Sequence, residues 1–417
     1  MTSRERVQAA LEHRTPDRTP RDFGSTAITG IAASLVFRLR QALGLPEKPI
    51  KIFCPYQMLG EVDEDLRRYL GVDAITAWPL GNLFGFDNTP VKPFTLFDGT
   101  PVLVPEAFNT TPEPDGKLFQ YACGDRSYPP SCVMPQGGLY FDSTVRVGPI
   151  EDEEALNPVD NLEEFTLLDD DTLKRIEQGI REVYDNTQYA IVGGGPGGTG
   201  LGDIAFVPGP MMPNPKGVRD IADWYMSSLI RPDYIKEVFD RQTDIALKNL
   251  ELYHQAVGER IAVITLCGAD FGNQRSLMLS PDLFKELYVP YYQKMTSWIH
   301  AHTQWKVFKH CCGAIEPLLP HLIAAGFDII NPVQISAAGM DSELLKQKYG
   351  DDLVFWGGGV DTQGTLPYGT PQEVYQQVKE QVRILGRNGG FIFNTVHNAQ
   401  ADVPVENFLA MIEALDG

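Results

Sequence analysis

The feature that most constrains this chain is a rhythm in its second half. Short apolar runs at 190–192, 261–266, 307–308, 327–330, 353–356 and 391–393 read as strands buried on both faces, and helical patterns separate most of them. Two more runs, near residues 22 and 75, bring the number to eight. Eight strands alternating with helices predict a (β/α)8 barrel, with a doubly wound open sheet as the alternative. The 417 residues suffice for one large barrel carrying an insertion, so 1–417 is read as a single domain.

Element boundaries are marked by capping chemistry. Thr2-Ser3-Arg4-Glu5 is a capping box, and Ser280-Pro281 and Thr370-Pro371-Gln372-Glu373 start two later helices. Helices are expected over 34–43, 64–69 and 173–185, and a strand over 72–78. Between 81 and 147 proline, glycine and aromatic residues crowd in, and an Asp98-Gly99 turn joins two alternating runs into a hairpin. This stretch is read as a β-rich insertion after the second strand.

In a barrel, the residues that follow the strands gather at one mouth, where active sites of this fold lie. Here those residues carry chemistry. His310-x-Cys312 leaves a strand with an imidazole and a thiol on one side of an extended chain, and Cys311 points to the other side. His397 follows the last strand. Three such donors with a fourth position open are the pattern of a catalytic zinc. The competing reading makes the histidines hydrogen-bonded core residues and Cys312 an apolar filler. Asp270, in a Gly-Ala-Asp-Phe-Gly turn, is a candidate acid/base or a partner orienting a ligand histidine, against a turn Asp bonding its own backbone. Asn331, Gln334, Asp361 and Gln274 are candidates for orienting a substrate, with loop capping an equal alternative for the first three. The glycine run 193–200 lacks the Gly-Lys-Ser/Thr and Gly-x-Gly-x-x-Gly signatures and points to close approach of a ligand or another chain.

Composition narrows the partners. Fifty-five acidic against 35 basic residues give a net charge of −20, the wrong sign for a nucleic-acid binder. No run approaches a membrane span, and the charged opening Met1–Arg6 has no apolar signal core, so a cytoplasmic protein is expected. The six cysteines form no C-x-x-C pair and are read as reduced thiols.

Several of these stretches together resemble the uroporphyrinogen decarboxylase superfamily: Arg4-Glu5-Arg6-Val7 with Pro16-Asp17-Arg18-Thr19-Pro20, His310-x-Cys312-Gly313, Asn331-Pro332-Val333-Gln334, Gly359-Val360-Asp361-Thr362-Gln363, and His397-Asn398-Ala399-Gln400 with Pro404-Val405-Glu406-Asn407. The resemblance covers most of the chain and implies a (β/α)8 barrel. Haem-pathway decarboxylases carry an Arg-Gln-Ala-Gly-Arg run whose arginines bind substrate carboxylates; here Arg21-Asp22-Phe23-Gly24-Ser25 stands in its place. The other branch holds cobamide-dependent methyltransferases, with a zinc motif of His-x-Cys and a distant Cys. His310 and Cys312 match the first two positions, and His397, seven residues before Pro404, stands where the last Cys is expected.

What the resemblance implies is a zinc-dependent, corrinoid-linked methyltransferase. Two imidazoles and one thiolate would leave the zinc at +1, a stronger Lewis acid than a two-thiolate site and suited to polarising an O-methyl substrate. No Asp-x-His-x-x-Gly corrinoid run occurs, so the corrinoid would come free or on a partner protein. The implied partners are a small methyl donor and a corrinoid protein, with no nucleic acid and no membrane; a homodimer is in keeping with the superfamily. Two rivals stand beside this: a metal-independent decarboxylase, for which Lys309 and Arg275 are the nearby cations, and a non-catalytic ligand-binding barrel.

Overall fold

Strands buried on both faces must be covered by helices outside and by one another inside, and the computed structural model, which describes residues 1–77 and 81–417, has that arrangement. Seven parallel strands lie side by side in chain order: Ala74–Ile75, Ala190–Gly194, Val263–Cys267, Lys306–His310, Ile329–Asn331, Val354–Trp356 and Phe391–Ile392. Both edges of this sheet meet one dipeptide. Arg21 bridges in parallel to Phe393 and Asp22 to Ala74, with the Asp22 N–H donating to the Phe393 carbonyl at 2.9 Å and the Asp73 N–H to that of Arg21 at 2.8 Å.

The run near residue 22 is therefore a two-residue bridge, shorter than expected. Pro20 ahead of it has no N–H to give. Behind it the Asp22 carboxylate turns the chain by accepting the N–H groups of Gly24 and Ser25, with Gly24 at φ +121°. Of the strand expected over 72–78, Ala74–Ile75 forms it; Trp78 lies outside the described residues.

Alternation sorts the strand side chains. Ala74, Val192, Val263, Phe308, Val354 and Trp356 share one inner cluster, closed at one end by Val7, Ala10 and Leu11 of the first helix, Ser3–Leu11. The opposite faces, with Ile75, Ile191, Ile264, Val307 and Phe355, join the larger core against the helices. The first helix has its capping box and is tied to the strand ends by charge. Arg6 reaches Asp17 and Asp73 at 2.6 Å each, and Arg18 reaches Asp73 at 2.7 Å. Asp73 is fully buried, so the Pro16-Asp17-Arg18 motif serves structure at the end away from the His310 loop. Arg21 is likewise turned into the framework, onto the carbonyls of Leu70 and Leu415 and the carboxylate of Asp416.

The hairpin around Asp98-Gly99 is present, pairing Val91–Thr95 with Pro101–Pro105, and Leu118–Tyr121 pairs with Pro130–Met134. The first of these sheets also takes Ile50–Cys54 and Leu59–Gly60 from ahead of residue 81. Neither strand stands out in the sequence, because Lys51 interrupts the apolar run and Pro55 lies between them. It also left unnamed the helices Ile221–Ile230 and Pro232–Val257. No helix among the described residues is long and apolar enough to cross a membrane.

Candidate metal centre

The strand Lys306–His310 sets the site. Phe308 and His310 share its inner face, and Lys309 faces the other way. The Lys309 ammonium is fully buried and donates to the carbonyls of Ala269, at 2.7 Å, and His310, at 2.5 Å. Arg275 sits on an exposed loop. Neither cation proposed for a decarboxylase thus lines the cavity in front of His310.

His310 Nε2 lies 3.4 Å from Cys312 Sγ, and His397 brings its ring centroid to 5.5 Å from that of His310. One donor atom from each of His310, Cys312 and His397 falls within 4.8 Å of the others, so the three could hold one metal ion. Cys311 turns away, as alternation requires, and its Sγ accepts the Phe271 N–H at 3.3 Å. Burial pushes both imidazoles down to about 4, helped at His310 by Lys309 and at His397 by His310, so both are neutral donors near pH 7. Burial and the Asp270 carboxylate push the Cys312 thiol well up.

The tautomer of His310 is fixed from behind. Asn331, fully buried at the end of the next strand, donates Nδ2–H to the Trp356 carbonyl at 2.8 Å. Its Oδ1 therefore faces His310 Nδ1 at 2.6 Å and accepts a proton from it. That leaves the lone pair on Nε2, toward Cys312 and His397. These two hydrogen bonds let Asn331, expected as a substrate-orienting or loop-capping residue, orient a donor.

Asp270 stands beside the cluster. Its Oδ1 accepts the Cys312 N–H at 2.6 Å and lies 3.9 Å from His310 Nε2, and burial raises its affinity for a proton. Gln334 and Gln274 stitch loops together. Gln334 Oε1 accepts the Gly313 N–H at 2.6 Å, Gln334 Nε2–H donates to Gln274 Oε1 at 2.6 Å, and Gln274 bonds Gln363. Gly313 is obligatory, since at its φ of +97° a Cβ would lie 2.3 Å from the Gly272 carbonyl carbon. Asp361 makes the contact of a turn residue, accepting the Gln363 N–H at 3.1 Å.

A match between residues 204–417 and the family model for uroporphyrinogen decarboxylase (URO-D) takes in this whole centre and more than half of the chain. The chain belongs to the URO-D family. Among similar proteins, a methylated-thiol–coenzyme M methyltransferase of Methanosarcina mazei is 24% identical over 198 residues, 48% of each chain. The match thus spans about half the length of that curated relative. A solved structure, a methyltransferase from Methanosarcina mazei, superposes with a TM-score of 0.57 at 16% identity over 100% of this chain and 98% of its own, which establishes the likeness of fold.

In this URO-D chain His310 opens onto a cavity of about 430 Å³. Its walls include Ile28, Phe165, Phe206, Met211, Leu266 and Phe308, and no Lys or Arg is among the described residues lining it. Its acids are Glu164, paired with Arg219 at 2.7 Å, and Asp203. Asp203 was missed by sequence analysis, although it closes the glycine-rich run. It accepts the Gly268 N–H at 3.0 Å and so holds the start of the turn that carries Asp270. The glycines are set by close approach of neighbouring segments. A Cβ on Gly195 would meet the Thr265 carbonyl at 2.2 Å, and one on Gly198 the Gln242 carbonyl at 2.9 Å.

Proposed function

We propose that this URO-D family protein is a zinc-dependent, corrinoid-linked methyltransferase that takes a methyl group from a small O-methyl or other methylated substrate to a Co(I) corrinoid. The observation that carries the proposal is the His310–Cys312–His397 cluster, of which His310 lines an apolar cavity. The donor set suits zinc. Bonds of about 2.3 Å to sulfur and about 2.0–2.1 Å to nitrogen at tetrahedral angles imply a donor separation of about 3.5 Å, and His310 Nε2 and Cys312 Sγ are 3.4 Å apart. Bound there, the ion supplies Lewis acidity toward a substrate oxygen or sulfur.

The chain's own groups do the rest. Asn331 keeps the His310 lone pair on Nε2. Cys312 gives up its proton on ligation. Asp270 has Oδ1 committed to the Cys312 N–H, so Oδ2 is the atom that carries a proton to a departing oxygen. The apolar walls around Phe165, Phe206 and Phe308 exclude water from the methyl group. Gln274, Gln334 and Asp361 shape the rim that receives the substrate. The corrinoid arrives free or on a partner protein. We further propose that the sheet closes as a (β/α)8 barrel with Arg21-Asp22 as its eighth stave, and that residues 81–147 are an insertion within one domain.

The test is metal content and methyl transfer to cob(I)alamin, measured on the wild type and on His310→Ala and His397→Ala. The expected result is one zinc per chain in the wild type, lost in both variants together with transfer. Full transfer by a metal-free protein would sink the proposal.

A further inference from the structure

We propose that a second chamber beside the metal-site cavity binds an organic anion, with Arg67 as the anchor of its charged group. The chamber, of about 660 Å³, shares Thr26, Ala27, the Gly194–Gly197 wall and Thr265 with the cavity in front of His310, so the two form one trough. Its apolar wall includes Ile75, Ile176, Ile180, Val183 and Val192.

Arg67 projects from the helix Glu64–Leu70 and is half-buried. It lines this chamber and also a small adjoining pocket walled by Phe53, Val62, Val72 and Ile75. Among the described residues its guanidinium has neither a hydrogen-bond nor an ion-pair partner. Other buried arginines differ: Arg6 holds Asp17 and Asp73, Arg40 holds Asp65, and Arg219 holds Glu164. A cation partly stripped of water beside apolar side chains costs free energy unless a counter-charge meets it. The chamber's own acids do not supply one. Glu61 lies 3.5 Å from Lys51, and Glu182 is solvent-exposed. The second chamber arginine, Arg175, leans toward Asp87 at 3.4 Å.

A planar guanidinium with free N–H groups fits a carboxylate, sulfonate or phosphate. The trough is thus polarised: among the described residues the end at His310 is lined by no cationic side chain, and the Arg67 end has an unpaired one. Its ligand has an apolar body and one anionic group. This assignment rests on Arg67 and the chamber wall, and it holds whether or not the metal reading does.

The test is calorimetric titration of the full chain with hexanoate, hexane-1-sulfonate, hexyl phosphate and the neutral hexanamide, on zinc-loaded and on chelator-treated protein. At least one anion should bind roughly ten- to hundred-fold more tightly than hexanamide, the range set by charge-assisted hydrogen bonds, and the tightest of the three identifies the headgroup. Arg67→Gln should abolish that preference, Arg67→Lys should retain part of it, and chelation should leave it unchanged. The proposal is overturned if hexanamide binds as well as the anions, if no anion binds at millimolar concentrations, if Arg67→Gln keeps the preference, or if chelation removes it. The wild-type comparison alone decides the matter should Arg67→Gln fail to fold.

Discussion

Asn331 offers the sharpest separation between a packing role and a role in metal binding. Asn331→Leu keeps much of the side-chain volume and removes both polar ends. His310 Nδ1 loses an acceptor at 2.6 Å and the Trp356 carbonyl loses a donor at 2.8 Å, at a fully buried position. Each buried group left without a partner costs about 1–3 kcal/mol, so the two together cost about 2–6 kcal/mol of stability. Freed from its acceptor, the imidazole can also turn or place its proton on Nε2. Loss of such an orienting partner lowers metal affinity about 10–100-fold. Asn331→Asp is the discriminating control. It still accepts from His310 Nδ1 but gives nothing to Trp356, so it should lose stability and keep much of its affinity for zinc. The assay is zinc competition against a chelator of known affinity, with thermal unfolding recorded on the same samples. Asn331→Leu with wild-type zinc affinity and only a lowered melting temperature would refute the reasoning and leave Asn331 a packing residue.

Three other outcomes follow from the geometry. Gly313→Ala should prevent the loop after His310 from closing, because its Cβ would press on the Gly272 backbone at 2.3 Å. Zinc binding should be lost and stability should fall by a few kcal/mol, in the range of overpacking and backbone strain (~1–3 kcal/mol each), and unchanged binding would contradict the structure. Asp73→Asn removes the buried partner of Arg6 and Arg18 and should cost about 3–5 kcal/mol in denaturant unfolding, with no direct effect on the distant metal ligands. Lys346 is buried and its ammonium is pushed down to about 8 from an ordinary 10.5 by desolvation, with Arg387 adding to it. A depressed folded-state value for a base means that the cost of its charge is present in full below about pH 8. Stability should therefore rise as pH climbs from about 8 toward 10.5, by a few kcal/mol. Lys346→Met should flatten that rise, and an unaltered pH profile in the variant would count against the assignment.

Much of the site was legible because its residues sit next to unmistakable strands. The apolar runs ending at 308, 330 and 393 mark where the mouth lies, so the sequence alone groups His310, Cys312 and His397. Cys311 could be excluded by strand alternation alone, and it does turn to Phe271. Capping boxes at Thr2 and Thr370 were likewise readable, since they depend on side chains three residues apart. What the sequence leaves open depends on partners distant along the chain. Asn331 bonds His310, 21 residues away, a pairing that no local pattern marks. The bonds that Gln274 and Gln334 make to each other and to Gln363 and Gly313 span up to 89 residues of sequence. Asp203 was passed over because its partner is the backbone of Gly268.

The sequence by itself determined the alternation of buried strands and helices, and with it which side chains stand at strand ends. Those choices are local: side-chain periodicity, β-branched and apolar composition, and caps within one turn. Only the tertiary structure decided that Asn331 faces His310, that Arg21 turns into the framework rather than the mouth, and that Arg67 is left without a side-chain partner among the described residues. Each of these turns on whether a polar group, once buried, finds a complement. That complement comes from whichever segment the fold brings alongside, at separations of up to 395 residues for Arg21 and Asp416.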